Sequence, residues 1–357
     1  MKPLEEVATF QRGFDITKRE IVSGSHPVIF SSGIGGRHSV CKVNGPGVVV
    51  GRKGSLGTAY FSEEDFWPTD TTLWVKDFHG NNPLFVYFLV KTMHFEQYDV
   101  GAANPTLNRN HIHTIPVNVP PLPTQKKIAE ILSGYDELIE NNRRRIQILE
   151  EMAQTIYREW FVNFKFPGHE NKKLVDSKLG KIPEGWEAKS LGELVEIKKG
   201  KNITKATIRP GDVPVVAGGL TPAYYHDTSN TEQPVVTVSA SGANSGFVNL
   251  YHIDVWASDC SFVDSVATPY VCYFYLWLKC RQTEVTRLQR GAAQPHVYPK
   301  DLMRLEALDV PTQIMEMFNE NISPLFPLMA SLTKKNENLR ATRDLLLPKL
   351  ISGEIEV

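Results

Sequence analysis

From position 124 to about 161, apolar residues step by four and three with no proline and no β-rich run between them. Positions 128, 132, 135, 139, 142, 146, 149, 153, 156 and 160 carry Ile, Leu, Tyr, Ile, Asn, Ile, Leu, Ala, Ile and Trp, a heptad seam broken at Asn142. That spacing predicts one continuous helix, roughly 55 Å long at 1.5 Å per residue. Positions 318, 322, 325, 329, 332, 336, 339, 343, 346 and 350 repeat the pattern as Phe, Ile, Leu, Met, Leu, Asn, Leu, Arg, Leu and Leu, with Asn336 and Arg343 as the interruptions. Ser323-Pro324 reads as an N-cap followed by proline at the first helical position, which splits this second helix. Apolar stripes of such length are costly to leave in water, so the two helices are expected to pack on each other rather than serve as unrelated core helices. Asn142 and Asn336 are then either a buried polar pair that fixes register or seam edges that face solvent or a partner.

Elsewhere the period changes. Short runs such as Gly47-Val48-Val49-Val50 and Pro234-Val235-Val236-Thr237-Val238, bounded by Gly, Pro, Asn and Ser, predict strands and turns. Helical stretches near 84 to 97 and 270 to 289 make each half mixed α and β. The chain also contains itself twice. Leu4, Val7, Phe10 and Gly13 recur as Leu191, Leu194, Ile197 and Gly200, displaced by 187, and Gly13 to Lys18 and Pro27 to Ile29 return at the same displacement. Gly57, Trp67 and Asp70 meet Gly246, Trp256 and Asp259 at 189, and Pro83 with Tyr87-Phe88 meets Pro269 with Tyr273-Phe274 at 186. Gly101 to Pro105 returns as Gly291 to Pro295, and Pro123-Thr124-Gln125 as Pro311-Thr312-Gln313. Each repeat is a whole domain plus a following helix: a first domain over 1–122, a helix over 123–163, a linker over 164–185, a second domain over 186–310 and a second helix over 311–357.

Composition narrows the class. A chain of 357 residues with 41% hydrophobic and 22% charged residues is that of a globular protein with room for two cores, and its apolar runs are too short to cross a bilayer. No secretory leader opens the sequence, and four cysteines in a chain this long are no disulfide framework, so a reducing cytoplasm is the expected setting. The net charge of −1 speaks against one strongly basic nucleic-acid face, although basic patches can hide in a neutral total.

Catalytic constellations are missing. The sequence has no phosphate loop, no dinucleotide fingerprint, no nucleophile elbow and no His-Glu-x-x-His, and Gly51 to Gly57 has the wrong spacing for a nucleotide cradle. Cys272 and Cys280 lack a Cys-x-x-Cys or His pattern, the segment of His111 and His113 reads as strand or loop, and no metal site is expected. Glu187-Ala188-Lys189 and Glu196-Ile197-Lys198 loosely imitate nuclease patterns and read as solvated surface.

Three longer segments carry a family resemblance: Pro120-Pro121-Leu122-Pro123-Thr124-Gln125-Lys126-Lys127-Ile128-Ala129, Leu179-Gly180-Lys181-Ile182-Pro183-Glu184-Gly185-Trp186, and the closing run from Leu345 to Ile355. Over nearly its whole length the chain resembles specificity subunits of type I restriction-modification systems. The resemblance implies two α/β (mixed α+β) target recognition domains, pseudo-symmetric copies, with a long antiparallel coiled coil of two helices between them. Each domain would read one half of a split site in double-stranded DNA, and the helices would set the gap. It further implies that two methyltransferase (modification) subunits and two motor-nuclease (restriction) subunits join. The chain itself would be non-catalytic and hold no cofactor, with S-adenosylmethionine, ATP and Mg on the partners. The first copy lacks the Ile-Pro-Glu-Gly-Trp lead that the second keeps, and Val310-Pro311-Thr312-Gln313 is a reduced form of the Pro-Pro-Leu-Pro run.

Base-contacting residues follow from residue chemistry alone. Arg and Lys suit phosphates and guanine edges, Asn and Gln suit adenine, and glycine-rich loops let the backbone approach the duplex. The candidates are Arg12, Lys18, Arg37, Arg52, Lys53, Ser55, Asn104 and Arg109 in the first domain, and Lys199, Lys201, Lys205, Ser239, Ser241, Asn244, Gln294 and His296 in the second. A two-domain scaffold that binds proteins or glycans across a coiled-coil spacer, and a self-contained nuclease, are the rival readings.

Overall fold

The valine runs singled out above are central strands, each covered on both faces. The structure, a computed structural model, describes residues 1–98, 106–291 and 294–357. It divides into two compact units, one of residues 1–141 with 335–357 and one of residues 142–334.

In the first unit the strands are β1 (Lys2–Pro3), β2 (Thr9–Arg12), β3 (His26–Phe30), β4 (Gly33–His38), β5 (Gly47–Gly51), β6 (Ala59–Ser62), β7 (Trp67–Pro68), β8 (Thr72–Asp77) and β9 (Pro116–Val117), with helices α1 (Pro83–Lys91) and α2 (Arg109–His113). They form a four-stranded sheet in the order β2-β8-β5-β6, a three-stranded sheet β4-β3-β7 and the pair β1-β9. Successive side chains of a strand point to opposite faces. Val48 and Val50 accordingly join Phe85, Phe88 and Leu89 of α1 in the main core, while Val49 packs on the other face with Ile29 and Phe66. Helix α1 starts where Asn82 Oδ1 accepts the amide of Phe85 at 2.9 Å and Pro83 takes the first helical position. Helix α2 replaces the strand or loop expected around His111 and His113, because Asn108 caps it by accepting the amide of Asn110 at 3.0 Å.

The second unit opens with the hairpin β10 (Leu174–Ser177) and β11 (Gly180–Pro183), then β12 (Glu187–Ser190), α4 (Leu191–Leu194), β13 (Lys198–Lys199), β14 (Val213–Val216), β15 (Tyr224–His226), β16 (Val235–Ser239), β17 (Val248–Tyr251), β18 (Trp256–Ala257) and β19 (Cys260–Asp264). Helices α5 (Val271–Cys280), α6 (Gln282–Arg287) and α7 (Pro299–Leu302) and strand β20 (Glu306–Asp309) complete it. The sheets read β13-β19-β16-β17, β15-β14-β18 and β12-β20, so strand for strand they repeat the pattern of the first unit. The valines again split between faces: Val236 and Val238 pack with α5, Val235 with Val216 and Val255.

Gly13 and Gly200, matched in the sequence, have matching jobs. A Cβ on Gly13 would stand 2.2 Å from the carbonyl oxygen of Thr69, and one on Gly200 2.2 Å from that of Ser258. Alanine at either position is expected to lower the urea midpoint of its own unit by about 1–3 kcal/mol of stability, since backbone must give way. Gly134→Ala, on a helix with open space at its Cβ, serves as control and is expected to be neutral or stabilising. Equal midpoints for all three would contradict the close approach.

The heptad seams lie on α3 (Leu122–Phe161), α8 (Thr312–Ile322) and α9 (Leu325–Ser352), and the break between α8 and α9 falls at Ser323-Pro324. None of the twenty seam positions is exposed. In the first unit Ile128, Ala129 and Leu132 share a core with Leu347, Leu350 and Ile351. Nearby, buried Asn336 donates from Nδ2 to the carbonyl of Ile139 at 3.2 Å, and the Arg343 guanidinium binds Asp136. Asn336 is therefore a buried seam position bonded to a backbone carbonyl of α3 and not an edge that faces solvent. In the second unit Ala153, Tyr157, Trp160 and Phe161 pack with Met315, Phe318, Ile322 and Phe326. Among the described residues no helix is long and apolar enough to cross a membrane.

Candidate nucleic-acid interface

Sheet order brings the first unit's basic residues together. Arg12 ends β2 beside Leu73 of β8, and Gly51 ends β5 beside Thr72 of the same strand. Three segments therefore meet at one end of the sheet. There Arg12 Nη2 stands 3.5 Å and Lys53 Nζ 3.9 Å from Asp70 Oδ2, while Arg52 Nη1 donates to the Asp70 carbonyl at 3.3 Å. Arg12 also pairs with Asp15 at 2.7 Å. The loop is tight: a Cβ on Gly51 would lie 1.9 Å from the carbonyl oxygen of Ser55, and Gly54 has φ +75°, which glycine adopts without strain. The amide of Leu107 donates to the Arg52 carbonyl at 2.8 Å and Lys53 bridges Thr106, tying this loop to the segment that follows Asn104. Asn104 itself lies outside the described residues.

The arrangement suits a polyanion. Arg12 and Lys53 share the half-buried Asp70 carboxylate, Arg12 also takes the exposed Asp15, and Arg52 is held by the Asp70 backbone carbonyl, so a positive excess is held in place and phosphates would compete with Asp70 for donors already oriented. Ser55 is exposed at the tip of the same loop. The other candidates of this unit stand apart from the Asp70 group. Exposed Arg37, on β4, makes paired hydrogen bonds to Glu64 at 2.9 and 3.0 Å, which hold the Glu64 carboxyl below its usual range. Lys18 is exposed in the turn closed by Thr17 and Glu20. Arg109 is exposed at the start of α2, where its charge adds to a shift dominated by burial that keeps His113 below the ordinary histidine range. The neutral His113 ring accepts the amide of Phe10 at its Nε2, at 2.9 Å.

In the second unit the corresponding loop is polar rather than basic. Ser241 Oγ donates to Asp259, the repeat partner of Asp70, and Ser241 forms a β-bridge with His296. The His296 ring stacks on Tyr298 with centroids 5.8 Å apart and planes 14° from parallel. Asn244 sits in the turn before β17, where its carbonyl accepts the amide of Phe247, and Gln294 is exposed beside Gly291. Lys199, at the end of β13, and Lys201 and Lys205, in the segment that follows it, are exposed, and the Lys201 carbonyl accepts Trp256 Nε1 at 2.8 Å. Ser239 is buried within β16, so its hydroxyl is turned into the protein.

Several features escaped the sequence reading. Asp70 and Asp259 were aligned by the repeat, but acidic residues have no obvious place in a search for phosphate contacts. Tyr224 and Tyr225, 40% and 55% exposed, project from edge strand β15, and the adjacent pair of tyrosines between Pro222 and His226 was the available signal. Cys260 and Cys272 are buried, with their thiols pushed up to about 12 by desolvation, which removes them as nucleophiles. Among the described residues, one group of mixed metal-ligating side chains converges: His26, Cys41 and Asp65.

The type I restriction modification DNA specificity domain model matches residues 1–151 and again residues 183–315. Among curated relatives, the type I restriction enzyme MjaIX specificity subunit of Methanocaldococcus jannaschii is 26% identical over 299 residues, covering 76% of this chain and 69% of the relative. The HindI specificity subunit of Haemophilus influenzae is 22% identical over 331 residues, covering 70% and 71%. A solved type I restriction-modification S subunit from M. genitalium superposes with a TM-score of 0.72 at 18% identity, covering 98% of this chain and 95% of that one, a likeness of fold.

Proposed function

Because the chain belongs to the type I restriction-modification DNA specificity family, we propose that it is the non-catalytic subunit that reads a bipartite site in double-stranded DNA, one half-site per recognition domain. One observation carries this reading: the family match falls twice, once on each copy of the same sheet pattern. The Asp70 group supplies phosphate contacts in the first domain, and the Ser241, Asn244, Gln294 and His296 loop supplies softer, base-directed hydrogen bonding in the second.

The seam helices pair as an antiparallel coiled coil that sets the gap between half-sites; the Asn336–Ile139 and Arg343–Asp136 contacts support that pairing. Two methyltransferase subunits dock on the helices and domains, and two motor-nuclease subunits complete the restriction complex in the cytoplasm. Exposed apolar residues on the far side of α3 suit this docking: Ile131 and Leu138 flank a groove with Gly134 and Asn141 in the first unit, and Ile148 and Met152 are exposed in the second. S-adenosylmethionine, ATP and Mg are held by those partners. A gel shift of random-sequence duplexes, with and without an added methyltransferase subunit, tests the proposal. Retarded DNA that weakens steeply with salt is expected; no retardation in either case would favour a scaffold for proteins or glycans.

A further inference from the structure

We propose that His26, Cys41 and Asp65 form a binding site for a divalent transition-metal ion of the zinc class in the first unit. The three come from the start of β3, the loop after β4 and the loop before β7, and the atoms they can offer a metal all lie within 4.8 Å of one another. Around a tetrahedral zinc with bonds of about 2.0–2.3 Å, ligand atoms stand about 3.3–3.8 Å apart, so closure shortens these separations by at most about 1.0–1.5 Å. All three residues are half-buried. A thiolate, an imidazole and a carboxylate together suit zinc or cobalt, whereas magnesium and calcium prefer oxygen alone.

Two contacts already orient the ligands. His26 Nδ1 is 3.2 Å from the Asp65 carbonyl, and donating there leaves the Nε2 lone pair for a metal, the outer-shell arrangement of ligating histidines. Asp65 Oδ1 accepts the amide of Gly45 at 2.9 Å, which leaves the second carboxylate oxygen available. The second unit acts as an internal control. Asp254 Oδ1 accepts the amide of Gln233 at 2.9 Å, repeating the Asp65–Gly45 contact, so the fold itself calls for the aspartate. His26 pairs with His38 across β3 and β4 as Val213 pairs with His226 across β14 and β15. Val213 therefore stands at the place of His26, and Ser229, three residues after His226, at that of Cys41. The imidazole and thiol are additions that the shared fold does not require. No short ligand spacing announces them, since the residues lie 15 and 24 apart in sequence.

The test uses the full chain, stripped with chelator and titrated with cobalt(II). One cobalt per chain is expected, with a thiolate-to-cobalt charge-transfer absorption that zinc abolishes by displacement, and zinc should raise the melting temperature. The double variant His26→Val, Cys41→Ser takes the residues that the second unit tolerates at these places, so its fold is expected to persist. It should lose the absorption band and the zinc-dependent shift while melting where stripped wild type melts. Cobalt bound without the band, no stoichiometric binding, or equal binding by the double variant would each overturn the site.

Discussion

Phe318→Ala is expected to cost the second unit about 3–5 kcal/mol, as truncations of fully buried aromatic residues do. Its ring is wholly buried and meets four others: Phe161 at 4.7 Å, Trp160 at 5.5 Å, Tyr273 at 6.1 Å and Tyr157 at 6.3 Å between centroids. Phe161 and Tyr273 stand nearly perpendicular to it, an edge-to-face geometry that adds to the area buried. These rings join α3, α5 and α8, so the void left by truncation opens where the seam helices meet the recognition domain. A domain's whole stability is about 5–15 kcal/mol, and a loss of this size removes much of it. Urea unfolding should show the transition of the second unit moved to much lower denaturant. Leu328→Ala, at a 42% exposed position of the same unit, should move it little. Similar shifts for both would mean that the ring cluster is not what holds this unit together.

The largest effect on binding is expected from removing Arg12, Arg52 and Lys53 together. If each neutralises one phosphate, the slope of log affinity against log salt falls by about 3, and affinity near physiological salt drops on the order of a hundredfold. Asp70→Asn should act in the opposite direction, because it removes the carboxylate that competes with DNA for Arg12 and Lys53. Arg37→Ala is the control, since Arg37 is bound to Glu64 away from this group. An unchanged slope in the triple variant would take the Asp70 group out of the interface.

Much of this fold was legible in the chain, for reasons that can be named. The two seams depend on local periodicity, and all their positions avoid exposure because a heptad keeps one stripe facing inward. The proline after Ser323 cannot continue a helix from the previous turn, so the break between α8 and α9 could be placed from two residues. The repeat matched glycines 13 and 200, and the structure gives both the same close backbone approach. The convergence of positions 12, 52, 53 and 70 was not legible, because it follows from β8 lying between β2 and β5, an order that no local pattern encodes. Ser239 misled because a serine next to glycine-rich sequence looks like a loop residue, yet every position of its strand is buried.

The most direct measurement of the central claim is a genome-wide map of N6-methyladenine in the source organism with and without the gene for this chain. A split motif of two half-sites at a fixed gap is expected in the intact genome and should vanish on deletion. Restoring the gene with Arg12, Arg52 and Lys53 replaced should leave that motif undermethylated. An identical methylation map after deletion would contradict the assignment of this chain as the subunit that selects the DNA sequence.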